Sequence, residues 1–167
     1  MMEVVFALAL MTLSIQTEAA PGSPAAQIQA FQSAEWKTTL SLADLPASLL
    51  AELHARVAAR IADHGQSFNP TDVGMPGEDA PRVRLVLSGH SVGRWFVCLE
   101  VGGVAHALYF TIFEVKNQSA SLVAFAVGSA AHADTPRGWE VTVDALKTAL
   151  RERRLAPVDP ARYLLKD

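Results

Sequence analysis

Between Arg82 and Val127 apolar and polar residues alternate along the chain, whereas before and after that stretch apolar residues recur at helical spacing. The change of period predicts strands in the middle and a helix on either side, because side chains alternate across a strand but return to one helix face every three to four positions.

The first helix is marked by Leu45, Leu49, Leu53, Val57 and Ile61, with Glu52, Arg56, Arg60 and Asp63 on the other face. Asp44 is the expected N-cap, Pro46 falls in the first turn, and Gly65 is a suitable residue to end the helix. Glu52 and Arg56 stand at i,i+4, where opposite charges meet. A second helix is expected over Trp139–Arg154, with Val143, Leu146 and Leu150 on one stripe and cations at its C-terminal end. The tail from Asp159 reads as a short capped turn docked through Tyr163 and its leucines.

Four strands are expected: Arg82–Ser88, Arg94–Val101, Val104–Val115 and Ala120–Val127. Val101-Gly102-Gly103-Val104 is a two-residue hairpin signal, since glycine accepts the positive φ angles of the primed turns. That turn sets Val101 opposite Val104, Val97 opposite Leu108 and Trp95 opposite Phe110. A second tight turn at Lys116–Ser119 pairs Ile112 with Val123. One face then collects Leu85, Leu87, Trp95, Val97, Leu108, Phe110 and Ile112, and Arg82 lies near Glu100 on the other. The fold class expected is therefore α+β: a four-stranded antiparallel meander flanked by an N-terminal and a C-terminal helix.

Three segments lie outside this pattern. Val4–Leu13 is apolar but too short to span a bilayer, and small residues follow at Ala19 and Ala20. This is the layout of a secretory signal peptide over residues 1–19, although the basic residue usual at its start is missing. Residues 20–32, rich in Ala, Pro, Gly, Ser and Gln, read as a flexible leader. Residues 33–167 are then one α+β domain, exported to the periplasm or secreted, with no membrane span in the mature chain. The other two segments are the long polar stretches Gln66–Pro81 and Gly128–Gly138; loops of that length on a compact scaffold commonly carry recognition.

Charge narrows the function. The 167 residues carry 14 basic and 17 acidic side chains, a net −3, and the basic residues are scattered. This excludes the electrostatic footprint of a nucleic-acid binder. With Cys98 as the single cysteine, an intramolecular disulfide and a cysteine-based zinc cluster are both excluded.

One pentapeptide suggests chemistry: Gly89-His90-Ser91-Val92-Gly93, the written form of a hydrolase nucleophile elbow. The elbow needs a strand, a tight turn and then a helix. Here Arg94-Trp95-Phe96-Val97 follows, bulky and strand-prone, so a hairpin loop is expected and no catalytic residue is assigned. His54 and His64 fall ten residues apart on the first helix and share no face. His106 reads as a satisfied histidine on an apolar strand face. His132 and Asp134 form the only local pair able to ligate a metal or move a proton, and two ligands are too few for a metal site. No cofactor or metal is expected.

The reading that remains is a small exported, non-catalytic protein-binding domain, inhibitor- or immunity-like, whose partner is another protein. The expected contacts are Phe68 and Met75 in the first loop and His132, Asp134 and Arg137 in the second. An alternative surface is the second sheet face, where Phe96, Tyr109 and Phe113 would form an aromatic patch if no helix covers it. Two other functions stay open: a hydrolase using Ser91 or a His132/Asp134 site, and a chaperone-like module holding an extended peptide.

Overall fold

The computed structural model describes residue 20 and residues 22–57, 60–71, 80–103, 106–129 and 141–162. The signal-peptide segment therefore lies outside the described residues, as do Met75, His132, Asp134, Arg137 and Tyr163.

The expected four-stranded meander with two helices is not the fold. Among the described residues, seven strands form one largely antiparallel sheet, accompanied by three α-helices. The order across the sheet is β1 (Lys37–Thr39), β3 (Val83–Ser91), β4 (Arg94–Val101), β5 (Ala107–Lys116), β6 (Ser119–Ser129) and β7 (Ala156–Val158). β2 (Ile61–Ala62) pairs in parallel with the start of β3, while β1 pairs antiparallel with its end. β1 falls within Trp36–Leu40, a stretch that reads as a short edge strand, whereas β2 and β7 carry too few residues for period two to show.

The helices also differ from expectation. α1 (Pro24–Ser33) occupies the segment read as a flexible leader. Ser23 caps it by accepting a hydrogen bond from the Ala26 amide, and Pro24 stands at its start. Ile28 and Phe31 are buried from it, so the boundary expected at residue 33 cuts through packed core. Composition misled here because alanine and glutamine are good helix formers as well as common loop residues. α2 (Ala47–Arg56) is shorter than its apolar spacing suggested: Val57 leaves the helix, and Ile61 is in β2. Asp44 is not its N-cap but lies in a 3-10 turn, where Thr39 donates to its carboxylate. The Arg56–Glu52 ion pair does form. α3 spans Val143–Arg151, capped by Thr142.

Both faces of the sheet are covered. α1 and α3 pack on one face over Phe96, Cys98, Phe110 and Ile112, with the Phe31 ring 4.7 Å from that of Phe110. α2 packs on the other through Leu49 and Leu53 against Leu85, Val97, Leu99 and Phe113. In a sheet buried on both sides both parities of a strand are apolar, so hydrophobicity does not fix register.

The register accordingly departs from the one expected. Val101 pairs with Ala107, Val97 with Thr111 and Trp95 with Phe113. The two-residue Gly-Gly hairpin does not form, since Val101 at the end of β4 pairs with Ala107 at the start of β5. Odd shifts in register exchange the two faces, so Phe110 and Ile112 join Phe96 and Cys98 rather than Val97 and Leu99. Two bulges contribute. β3 steps between Leu85 and Leu87, which places Val86 and Leu87 on the same face; β6 steps between Leu122 and Ala124. The carbonyl freed at Val86 accepts from His64 Nδ1 at 2.9 Å. Asn117 and Gln118, both at positive φ, make the tight β5–β6 turn.

Candidate functional site

The sheet end where β3 begins and β4 finishes carries a cluster of polar side chains. Arg84 and Glu100 are direct cross-strand partners, so the acid meets an arginine two residues later than the expected Arg82. Glu100 Oε2 accepts from Arg84 Nε at 3.1 Å and from Nη2 at 2.5 Å. Its other oxygen, Oε1, lies 2.5 Å from His106 Nε2. Glu100 is wholly buried, while the side chains of Arg84 and His106 keep 18% and 29% of their exposure. The negative charge is thus inside and its two partners face outward. A buried carboxylate is tolerated only when paired in this way.

Phe68 completes the cluster. Its ring centroid lies 4.2 Å from Arg84 Cζ, a cation–π contact, and 6.2 Å from the His106 ring. Phe68, Pro70, Thr71, Arg84 and His106 are among the residues around an open cleft of about 900 Å³. Glu100 forms part of its floor.

The wall bearing Phe68 is fixed by hydrogen bonds. The Asp63 carboxylate accepts from Ser41 Oγ and from the Leu42 amide, both at 2.9 Å. The Asn69 amide donates to Pro81 O at 2.8 Å, and Gly103 donates to Pro70 O at 3.2 Å. Asn69 Oδ1 accepts from the Thr71 amide at 2.9 Å, an Asx turn beside the proline. Gly102 lies so close beneath Asn69 and Pro70 that a Cβ there would overlap their backbone. The glycine pair that looked like a hairpin turn instead lets a second loop approach.

Of the contacts expected from sequence, Phe68 lies in this cleft, half-buried, and Met75, His132, Asp134 and Arg137 are outside the described residues. The aromatic patch does not exist as an open surface. Phe96 and Phe113 are fully buried and point to opposite faces, one beneath α1 and the other beneath α2. Tyr109 is partly buried beside Phe125, and burial raises its hydroxyl pKa above the ordinary value.

Ser91 ends β3, and Val92 and Gly93, the latter at φ 68°, turn the chain into β4. This is strand–turn–strand geometry, without the helix that an elbow places behind its nucleophile. The His90 and Trp95 rings lie 4.9 Å apart, tilted by 32°. His64 is on the turn after β2 rather than on a helix with His54. Cys98 is buried in the core, and burial, reinforced by the charge of nearby Glu100, pushes its thiol pKa up to about 12.

The Arg84–Glu100–His106 cluster was not singled out from the sequence. The signal was present as one charged residue in each of two apolar runs, Val83-Arg84-Leu85 and Leu99-Glu100-Val101. Among the described residues no three His, Cys, Asp or Glu side chains are grouped to hold a metal, and no helix is long and apolar enough to cross a membrane. Comparison with known protein families, curated proteins and solved structures finds no match to this chain.

Proposed function

We propose that the protein is a small exported, non-catalytic domain that binds another protein, in the manner of an inhibitor or immunity protein, through the cleft around Phe68. The observation that carries this reading is Phe68 itself: a half-buried aromatic ring on a hydrogen-bonded wall, in cation–π contact with an ion-paired arginine at the mouth of a cleft. Aromatic and arginine side chains held rigidly beside a pocket are the groups that dominate binding energy at protein interfaces. Little ordering entropy remains for such a wall to lose on binding. The acidic net charge of −3 argues against nucleic acid as the partner.

Export rests on the apolar run Val4–Leu13 and the small residues Ala19 and Ala20. Sequencing of the native protein should give an N-terminus at Ala20 or within a few residues of it; intact Met1 protein in the cytosol would contradict export. For binding, a partner captured from the envelope or culture medium is titrated against wild type, Phe68→Ala and Val92→Ser. Val92 is fully exposed on the hairpin at the opposite end of the sheet. Phe68→Ala should weaken binding by at least about fivefold, the equivalent of about 1 kcal/mol, while unfolding stays cooperative. Unchanged binding by Phe68→Ala, with loss in Val92→Ser, would place the interface elsewhere.

A further inference from the structure

One edge of the Arg84 guanidinium is occupied. Nε and Nη2 are bound to a single oxygen of Glu100, and Cζ lies over the Phe68 ring, 4.2 Å from its centroid. The remaining donor edge is formed by Nη1 with the second hydrogen of Nη2. Among the described residues Nη1 makes no hydrogen bond, and Arg84 borders the cleft. A guanidinium has five N–H donors in a fixed plane, and two parallel donors on one edge match the two oxygens of a carboxylate. The Glu100 bonds and the Phe68 contact hold the guanidinium in place, so its rotamer entropy is already spent.

We propose that this cleft binds a carboxylate, held by both oxygens on the free edge of Arg84, with the adjoining apolar group of the ligand against Phe68 and Pro70. The inference deepens the protein-binding reading and rests on it for the source of the ligand: a carboxylate presented by the partner, either a chain terminus or an Asp or Glu side chain. Charge favours a monoanion. Glu100 lies directly behind the guanidinium, so each added negative charge on the ligand meets repulsion across it. A carboxylate carries one charge, whereas a phosphate monoester carries up to two. Glu100 is also the one carboxylate around the cleft among the described residues, and it is buried behind Arg84 and His106 rather than exposed to compete.

The test uses the isotopically labelled protein and four small probes, read by the Arg84 side-chain and Gly103 amide resonances. N-acetylphenylalanine supplies a terminal carboxylate, N-acetylaspartylphenylalaninamide a side-chain carboxylate, N-acetylphenylalaninamide neither, and phenyl phosphate the dianion. At least one carboxylate probe should saturate at about millimolar concentration, as expected for a fragment-sized ligand, and move the Arg84 signals. Whichever of the two binds more tightly identifies the source. The amide and the phosphate should bind at least about tenfold more weakly, a difference of about 1.4 kcal/mol. Arg84→Lys keeps the charge facing Glu100 but loses the planar fork, and should lose binding by a similar factor while remaining folded.

Equal binding of amide and carboxylate overturns the proposal, as does tighter binding of the phosphate or the absence of any saturation in the folded wild type. The two readings fail separately. If no carboxylate binds but Phe68→Ala still weakens the captured partner, protein binding stands and the carboxylate does not. If the carboxylate binds and Phe68→Ala leaves the partner unaffected, the reverse holds.

Discussion

Arg84 stands directly opposite Glu100 across the β3–β4 ladder and binds one oxygen of that buried carboxylate, while His106 takes the other. Removing Arg84 leaves a buried charge with one neighbour. Arg84→Ala should cost about 3 kcal/mol in urea unfolding, the range found when one partner of a buried pair is deleted. Glu100→Ala removes the charge itself, so the double variant should be less destabilised than the sum of the two single changes, by about 1–3 kcal/mol. Strict additivity would show that the pair is not energetically coupled.

Cys98 gives a prediction with a definite sign. Its folded pKa is raised from the ordinary 9.0 to about 12, so the folded state keeps a proton that the unfolded chain releases. The contribution is fully present below pH 9 and is lost as the pH rises from 9 toward 12. Stability should fall over that window by at most about 1.4 kcal/mol per pH unit from this group. Cys98→Ala should flatten that part of the profile, despite its own cost in packing. At pH 8 the native thiol should resist alkylation by iodoacetamide and react once the chain is unfolded. Rapid labelling of the native protein would show that Cys98 is accessible.

These two sites also show what could be read from the chain and what could not. The alternation of Arg82–Val127 announced an antiparallel sheet, and the stripes of Leu49/Leu53 and Leu146/Leu150 announced the helices that bury them. Three physical facts hid the rest. Strands as short as β2 and β7 have no measurable period. A sheet covered on both faces makes Leu108, Phe110 and Ile112 as acceptable on one side as Thr111 and Phe113 on the other, so the Gly102-Gly103 signal set a false parity. The bulges at Val86 and Val123 add a residue that no local pattern marks. Because pairing of Arg84 with Glu100 depends on register, the candidate site was hidden with it. Phe68 was legible because an aromatic residue in a polar loop is conspicuous whatever the register.

Ser91 borders the Val92–Gly93 turn at the far end of the sheet from the cleft. As a half-exposed hydroxyl at the edge of a hairpin turn, it should tolerate replacement: Ser91→Ala is expected to change stability by less than about 0.5 kcal/mol. A fluorophosphonate probe should not label it. Stoichiometric modification at Ser91 would reveal a nucleophile that strand–turn–strand geometry does not anticipate.

The central claim is that a partner docks at the Phe68 end of the sheet. It is tested most directly by placing a photoreactive phenylalanine analogue at position 68 and, separately, at position 92, then irradiating each protein in the presence of its captured partner. Both positions are on the surface, Phe68 half-buried and Val92 fully exposed, but at opposite ends of β3. A covalent adduct is expected from position 68 and none from position 92, with excess unlabelled wild type suppressing the adduct. Crosslinking from position 92 alone would contradict it.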